Sequence, residues 1–438
     1  MGKAVKQQKS FYKIKFIFFK CLIMSSLFIG DSEKNAFGKT FNLPKGIGIW
    51  SYGVRTYDSI QTQFDGNGYE ESIGNSFKQQ FNGPSLLKEG DNSELGTLAE
   101  ELNKFDYAGS GSGVISGLDL GTFAVDVDAN VSTQIIGTGF GLTDWLTVYA
   151  GFPIVDITIT TNMYMTGRNT AIDLKNRLGD LSYEELKTGL DTASGLDIPM
   201  IKSALGDMGY TGLEKWSHKG LGDIHFGFIT SYWYRPASNL GFISYSKLNT
   251  TLPTGYVDDP DILTDTSIGD GYFSAEMKVG QVVSVGKYTY GGIEGAYKSN
   301  FSHTREIRKP ETVTSTLAPF DNYEVMEVDP GDETEVSIYV GAKYSIFSGE
   351  YKLTDENIKA DTVLSSDEDV YKILVNQSES NSFYQLLTAG ISTADLYEKE
   401  KFPVPFILTV SRKSNLMGKD SIIDDYVEVE LASFYKLD

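Results

Sequence analysis

Asp223 and His225 are the residues whose types and spacing come nearest to catalytic chemistry in this chain. A carboxylate and an imidazole at i and i+2 share one strand face, and such a pair on a barrel wall can serve general-base hydrolysis. The chain has three histidines, His218, His225 and His303, and none stands in a Ser-His-Asp text or in a zinc spacing. Acidic text recurs at 257–270 (Asp258, Asp259, Asp261, Asp265, Asp270) and at 329–335 (Asp329, Asp332, Glu333, Glu335). Hard oxygen ligands at that density can hold Ca²⁺. The EF-hand order is absent, and solvated surface charge accounts for the same residues. GSGSG at 109–113 lacks a following Lys-Ser/Thr and reads as linker, not as a phosphate loop. No enzyme activity, cofactor or metal is expected from these groups.

The elements that must position them are strands. Apolar and polar residues alternate with period two at 123–135, 223–235 and 335–346. In the first, Phe123, Val125, Val127, Ala129, Val131, Thr133 and Ile135 oppose Asp126, Asp128, Asn130 and Ser132. Such runs exceed the ~5–6 residues of an ordinary strand and reach the ~9–11 that a tilted membrane strand needs. Twelve strands are predicted, at 46–60, 119–136, 145–166, 221–234, 239–252, 271–284, 287–303, 334–347, 350–363, 383–396, 403–413 and 425–436. Every second joint is short: 141–144, 236–239, 286–287, 348–349 and 398–401. The others are long, above all 61–118 and 167–220, the second with helical text around Ser182–Glu185 and 199–206. This predicts an all-β fold, a transmembrane antiparallel up-and-down β-barrel of about 12 strands (10–14), with short periplasmic turns and long extracellular loops.

Composition agrees. The 438 residues contain 26 Tyr and 25 Phe but 12 Pro, a mixture that favours strands. Residues 1–38 hold a basic stretch and the apolar run 16–30, and are predicted to be a secretory signal; an amphipathic anchor is the competing reading. They carry seven lysines and two acids, so their removal takes the formal charge from −21 to −26. That acidity disfavours nucleic-acid binding. The single cysteine, Cys21, lies inside the signal, so disulfides have no part in the barrel at 39–438.

The polar strand faces are expected to line the lumen, with Asp126, Asp128, Asn130, Ser132, Asp223, His225, Arg235, Lys343, Glu428 and Glu430 either tuning selectivity or filling space. Trp50, Trp145, Tyr149, Tyr232, Trp233 and Tyr234 sit near strand ends, as interfacial aromatics do. The apolar column Leu146, Val148, Ala150, Phe152 gives way after Pro153 to Val155, Ile157, Ile159. This one-residue parity shift predicts a β-bulge at Gly151–Pro153, a local break in the wall.

Four stretches, LPKGIGIWSYG (43–53), FGLTDWLTVYAGFP (140–153), KGLGDIHFGF (219–228) and TLPTGY (251–256), together resemble the Gram-negative outer-membrane channels related to the FadL-type transporters, in particular the group named for the MetA pathway of phenol degradation. The resemblance implies a bacterial outer-membrane channel that passively admits small hydrophobic or aromatic compounds, is surrounded by lipid and is inserted by the barrel-assembly machinery. The chain departs from that pattern in having little sequence for an N-terminal hatch, and in ending Phe434-Tyr435-Lys436-Leu437-Asp438 rather than on an aromatic. Any plug is then expected from 61–118. Three other readings stay open: an adhesive or structural surface barrel with a blocked lumen, a barrel-wall hydrolase, and a secreted soluble all-β protein. The sequence does not fix the oligomeric state.

Overall fold

The computed structural model describes residues 42–89, 94–105, 115–178, 184–237, 239–309, 322–364 and 379–436. The signal segment, Ser182 and GSGSG lie outside them.

Twelve long strands pair antiparallel with their neighbours: β1 (Ile47–Tyr57), β2 (Asp119–Thr143), β3 (Leu146–Thr166), β4 (Ile224–Ala237), β5 (Leu240–Leu252), β6 (Ser274–Val285), β7 (Thr289–Asn300), β8 (Glu333–Tyr344), β9 (Phe347–Ile358), β10 (Ser380–Ser392), β11 (Phe406–Lys419) and β12 (Tyr426–Lys436). β1 closes the ring, running beside β12 from Ile47↔Lys436 to Tyr57↔Tyr426 and beside β2 from Gly48↔Phe140 to Thr56↔Ser132. Closure leaves no open edge around the barrel, the condition a sheet must meet in lipid.

Burial sorts the two faces. On β8, Val336, Ile338 and Val340 point out and are exposed, while Glu335, Ser337 and Tyr339 are buried inside. Val427, Val429 and Leu431 on β12, Ile293 on β7, Val279 on β6 and Phe228 on β4 extend the exposed apolar band. An apolar exterior over a polar interior is the inverse of a soluble fold and the signature of an outer-membrane barrel. Among the described residues no helix is long and apolar enough to cross a membrane. The chain crosses with its strands.

The tight turns, the start of β1 and the end of β12 lie at one rim, the periplasmic one. Three turns differ from expectation. The β2–β3 turn falls between Thr143 and Leu146, and the β8–β9 turn between Tyr344 and Phe347 rather than at 348–349. The last tight joint is a longer loop with a short helix at Ala394–Glu398, its first-turn acid Asp395 lying 3.4 Å from Lys343.

β2 and β3 have 25 and 21 residues, about twice what a spanning strand needs. Their upper halves stand above the outer rim as one tall hairpin, flanked by the strands Gln79–Asn82 and Lys215–Leu221. Its far end carries helices from both long loops: α1 (Gly83–Glu89), α2 (Glu94–Phe105), α3 (Ala171–Leu178) and α4 (Glu184–Ser194). Leu98 and Leu102 of α2 pack with Leu174 of α3 and with Leu186 and Leu190 of α4, so the two loops form one helical cap with its own apolar core. A fifth helix, α5 (Ile198–Asp207), starts as its sequence predicts: Asp197 accepts from the Met200 N–H at 2.9 Å and Pro199 occupies the first turn.

Candidate functional site: the lumen wall and the outer mouth

Inward side chains of β5 to β9 form a continuous charged lattice. Lys278 lies 3.1 Å from Glu335 two strands away, and small Ala296 stands between them in the register. Lys352 lies 2.5 Å from Glu294 and 3.3 Å from Glu335. Glycine lets tyrosines join it. The Tyr245 ring lies across Gly280 and its hydroxyl donates to Glu294, while the Tyr290 ring lies across Gly341 and donates to Glu350 at 2.9 Å. The same device recurs on β3 to β5, where Tyr149 covers Gly227 and donates to Asn249 at 3.1 Å. On the opposite wall Arg55 pairs with Glu428 at 2.5 Å and Lys413 with Asp424 at 2.6 Å. Buried charges must be paired and bonded, and these are.

Above the lattice the lining changes character. The inner face of the tall hairpin presents Val125, Val127, Ala129, Val131, Val155, Ile157 and Ile159, all buried. Ile60 and Ile73 from the β1–β2 connection, Ile268 from the β5–β6 loop and Ile422 from the β11–β12 loop converge on it. Beside them is an aromatic stack. The His218 ring lies 4.4 Å from Tyr256 and 5.8 Å from Trp216, nearly parallel to both. The outer mouth is therefore apolar inside, and the 61–118 loop contributes to its filling.

The predicted bulge at Gly151 and Pro153 is absent. β3 keeps one register against β2 from Thr122↔Thr166 to Gly141↔Thr147, with Ile135 opposite Pro153. Phe152 and Ile154 stay on one face, and Gly151, Pro153 and Val155 are buried on the other. The break lies next door. Lys215–Leu221 pairs with β3 as far as Leu221↔Ile154, and β4 resumes at His225↔Gly151. Between them the Gly222 N–H donates to the Pro153 carbonyl at 2.8 Å. In an antiparallel ladder a residue's C=O and N position face the same neighbour. The donor that Pro153 lacks is thus missing on the side where the next strand is interrupted, which is why proline is tolerated there.

Asp223 fills that interruption. It is fully buried and accepts from the backbone N–H groups of Thr254 (2.9 Å), Gly255 (2.8 Å) and Asp270, which ties the β5–β6 loop to the wall. Burial, with the nearby Asp270 carboxylate, pushes Asp223 up to about 6. His225 points inward and its Nδ1 meets Thr251 at 3.0 Å, so the two residues do not form a carboxylate–histidine pair.

The other expected lumen residues divide. Glu428 and Glu430 are inside, as is Lys343 near the periplasmic rim. Arg235 is exposed at the β4–β5 turn. Asp126, Asp128, Asn130 and Ser132 do not line the lumen. They lie on the outward column of β2, above the apolar band, where Asp128 takes hydrogen bonds from Ser59 (3.0 Å) and Gln61 (2.8 Å). Along that stretch the apolar column faces in, because loops cover the inner side while the outer side meets water. Of the aromatics, Trp50, Trp145, Tyr232 and Tyr234 are exposed, whereas Tyr149 is buried and Trp233 packs inward against Ile243 and Tyr245. Glu294 and Lys352 were not singled out by sequence, and Glu335 only as one of the acids at 329–335; a Tyr-x-Gly-x-Glu alternation at 290–294 was the available signal.

The acids at 258–270 are spent internally: Asp258 on Arg305, Asp261 on Arg308 at 2.8 Å, and Asp270 on Lys298 at 3.4 Å. Among the described residues no group of three or more His, Cys, Asp or Glu is placed to hold a metal.

No family model matches the chain, and no curated protein matches it. Solved structures that match include an outer membrane channel from Pseudomonas putida F1, 10% identical over 93% of this chain and 100% of that one, with a TM-score of 0.49. Two others are the toluene transporters TbuX of Ralstonia pickettii (8% identical, 90% of each chain, TM-score 0.30) and TodX of Pseudomonas putida (10% identical, 90% of each chain, TM-score 0.29). At these scores the likeness adds nothing to what strand pairing and the apolar band establish directly, a closed twelve-stranded barrel of the outer membrane.

Proposed function

We propose that the protein is an outer-membrane channel that passively admits small hydrophobic or aromatic compounds. One observation carries this reading: the apolar mouth and its Trp216–His218–Tyr256 stack sit directly above the interruption of the wall at 222–223, while the lumen below is a lattice of ion pairs. An apolar solute gains by entering the mouth and loses by entering the lattice. The wall interruption beside Pro153 offers it a sideways route into lipid. The toluene transporters among the matching structures carry solutes of this class. Insertion by the barrel-assembly machinery, acting on β12, belongs to the same reading.

The test is uptake of the apolar dye N-phenyl-1-naphthylamine by intact Gram-negative cells. Cells producing the barrel should take up dye faster than empty cells, and Trp216→Ala with Tyr256→Ala should slow them. Equal uptake with and without the barrel overturns the proposal. It would favour a surface barrel with a closed outer end, a second reading that the joint helical cap of α1–α4 supports.

A further inference from the structure

Most interior charges have partners, and two that have none stand on adjacent strands of one wall. Lys247 of β5 has no hydrogen bond and no ion pair among the described residues. Its ammonium lies 5.1 Å from the centre of the Tyr149 ring, and the residue opposite it on β6 is another lysine, Lys278. Glu276 of β6 likewise makes no hydrogen bond and no ion pair among the described residues, although its register neighbours are Asn249 and Lys298. The Nε2 of His225 is buried without a hydrogen-bond partner. All three point inward from adjacent strands, at neighbouring levels, below the mouth and beside the wall interruption.

The unbonded Nε2 of His225 is buried at a cost in free energy, whereas the charged ends of the half-buried Lys247 and Glu276 open onto the lumen, where a solute can reach them. The neighbouring charges Lys278, Glu294, Glu335 and Lys352 are instead paired with one another. An unpaired ammonium and an unpaired carboxylate, set diagonally across adjacent strands, have little net charge between them. A bound carboxylate would be repelled by Glu276 and a bound ammonium by Lys247. A neutral group that accepts from the ammonium and donates to the carboxylate satisfies both. We propose that Lys247, Glu276 and His225 form a solute-binding wall for a neutral hydroxyl group carried on an apolar body. The mouth would hold the apolar part and this wall the polar head. The proposal rests on the channel reading above and narrows its solute class.

The experiment is saturation-transfer NMR on the detergent-solubilised barrel, titrated with benzyl alcohol and, separately, with toluene. Benzyl alcohol should bind about tenfold more tightly, the gain that a charge-assisted hydrogen bond provides. Lys247→Met and Glu276→Gln should each remove that preference and leave toluene binding unchanged, with folding verified by heat-modifiable migration. Equal binding of the two compounds by the wild-type barrel overturns the proposal while the channel reading survives, and so does a preference that outlasts both substitutions. Binding of neither compound overturns both. The wild-type comparison decides the matter even if a variant does not fold.

Discussion

The ring of Tyr245 occupies the space that a side chain on Gly280 would fill. A Cβ built on Gly280 would stand 2.3 Å from the tyrosine Cζ. The two residues are register partners on β5 and β6, and the ring crosses the glycine to reach Glu294 on the far side. Gly280→Val should therefore displace the ring and unbind the carboxylate, at a cost of about 1–3 kcal/mol. Gly53→Ala, whose added carbon would find its nearest neighbours at 3.8 Å, should stay within about 0.5 kcal/mol of wild type. Urea unfolding from lipid vesicles, followed by tryptophan fluorescence, measures both.

Glu335 is the acceptor shared by two lysines. Glu335→Gln leaves Lys278 and Lys352 sharing Glu294 alone, at 4.0 Å and 2.5 Å. Breaking a buried ion pair from one side costs about 3–5 kcal/mol. The variant should lose its heat-resistant migration at a clearly lower temperature than wild type, and Glu335→Gln combined with Lys278→Met should recover part of the loss.

Asp223 makes the outer loop pH-sensitive. Its folded pKa, about 6, lies above the ordinary 3.8, so its contribution is fully present below 3.8 and is lost as pH rises through about 6. Hydrogen exchange of residues 254–270, corrected for intrinsic rate, should be better protected at pH 4.5 than at pH 7.5. Asp223→Ala should expose the Thr254, Gly255 and Asp270 amides at both pH values and abolish the difference.

The helical cap should unfold independently of the barrel. Leu190 is fully buried against α2 and α3, and its replacement by alanine should cost the cap about 2–5 kcal/mol. Limited proteolysis should then cut within 184–194 while heat-modifiable migration of the barrel stays unchanged. Joint loss of both would show one cooperative unit.

Period-two alternation made the twelve strands legible, since a pleated strand puts successive side chains on opposite faces whatever surrounds it. Alternation does not say which face looks inward. At 335–346 the apolar column faces lipid, as the sequence suggests. At 123–135 it faces the covered mouth, and Asp126 and Asp128 look out to water. The parity change read at Pro153 arises because apolar residues occupy both columns there, one against lipid and one under the loops. The interruption at 222–223 left its only trace in a proline on a different strand. The charged lattice was hidden because its ion-paired partners lie 16 to 58 residues apart along the chain, brought level only by strand register.

The outward column of β2 amounts to a depth gauge. Upward from the turn it presents Leu142, Phe140, Thr138 and Ile136, and then Gln134, Ser132, Asn130, Asp128 and Asp126. Between Ile136 and Gln134 the column turns from largely apolar to wholly polar. A change of solvent preference is thus written into one strand, and lipid is favoured only on its turn side.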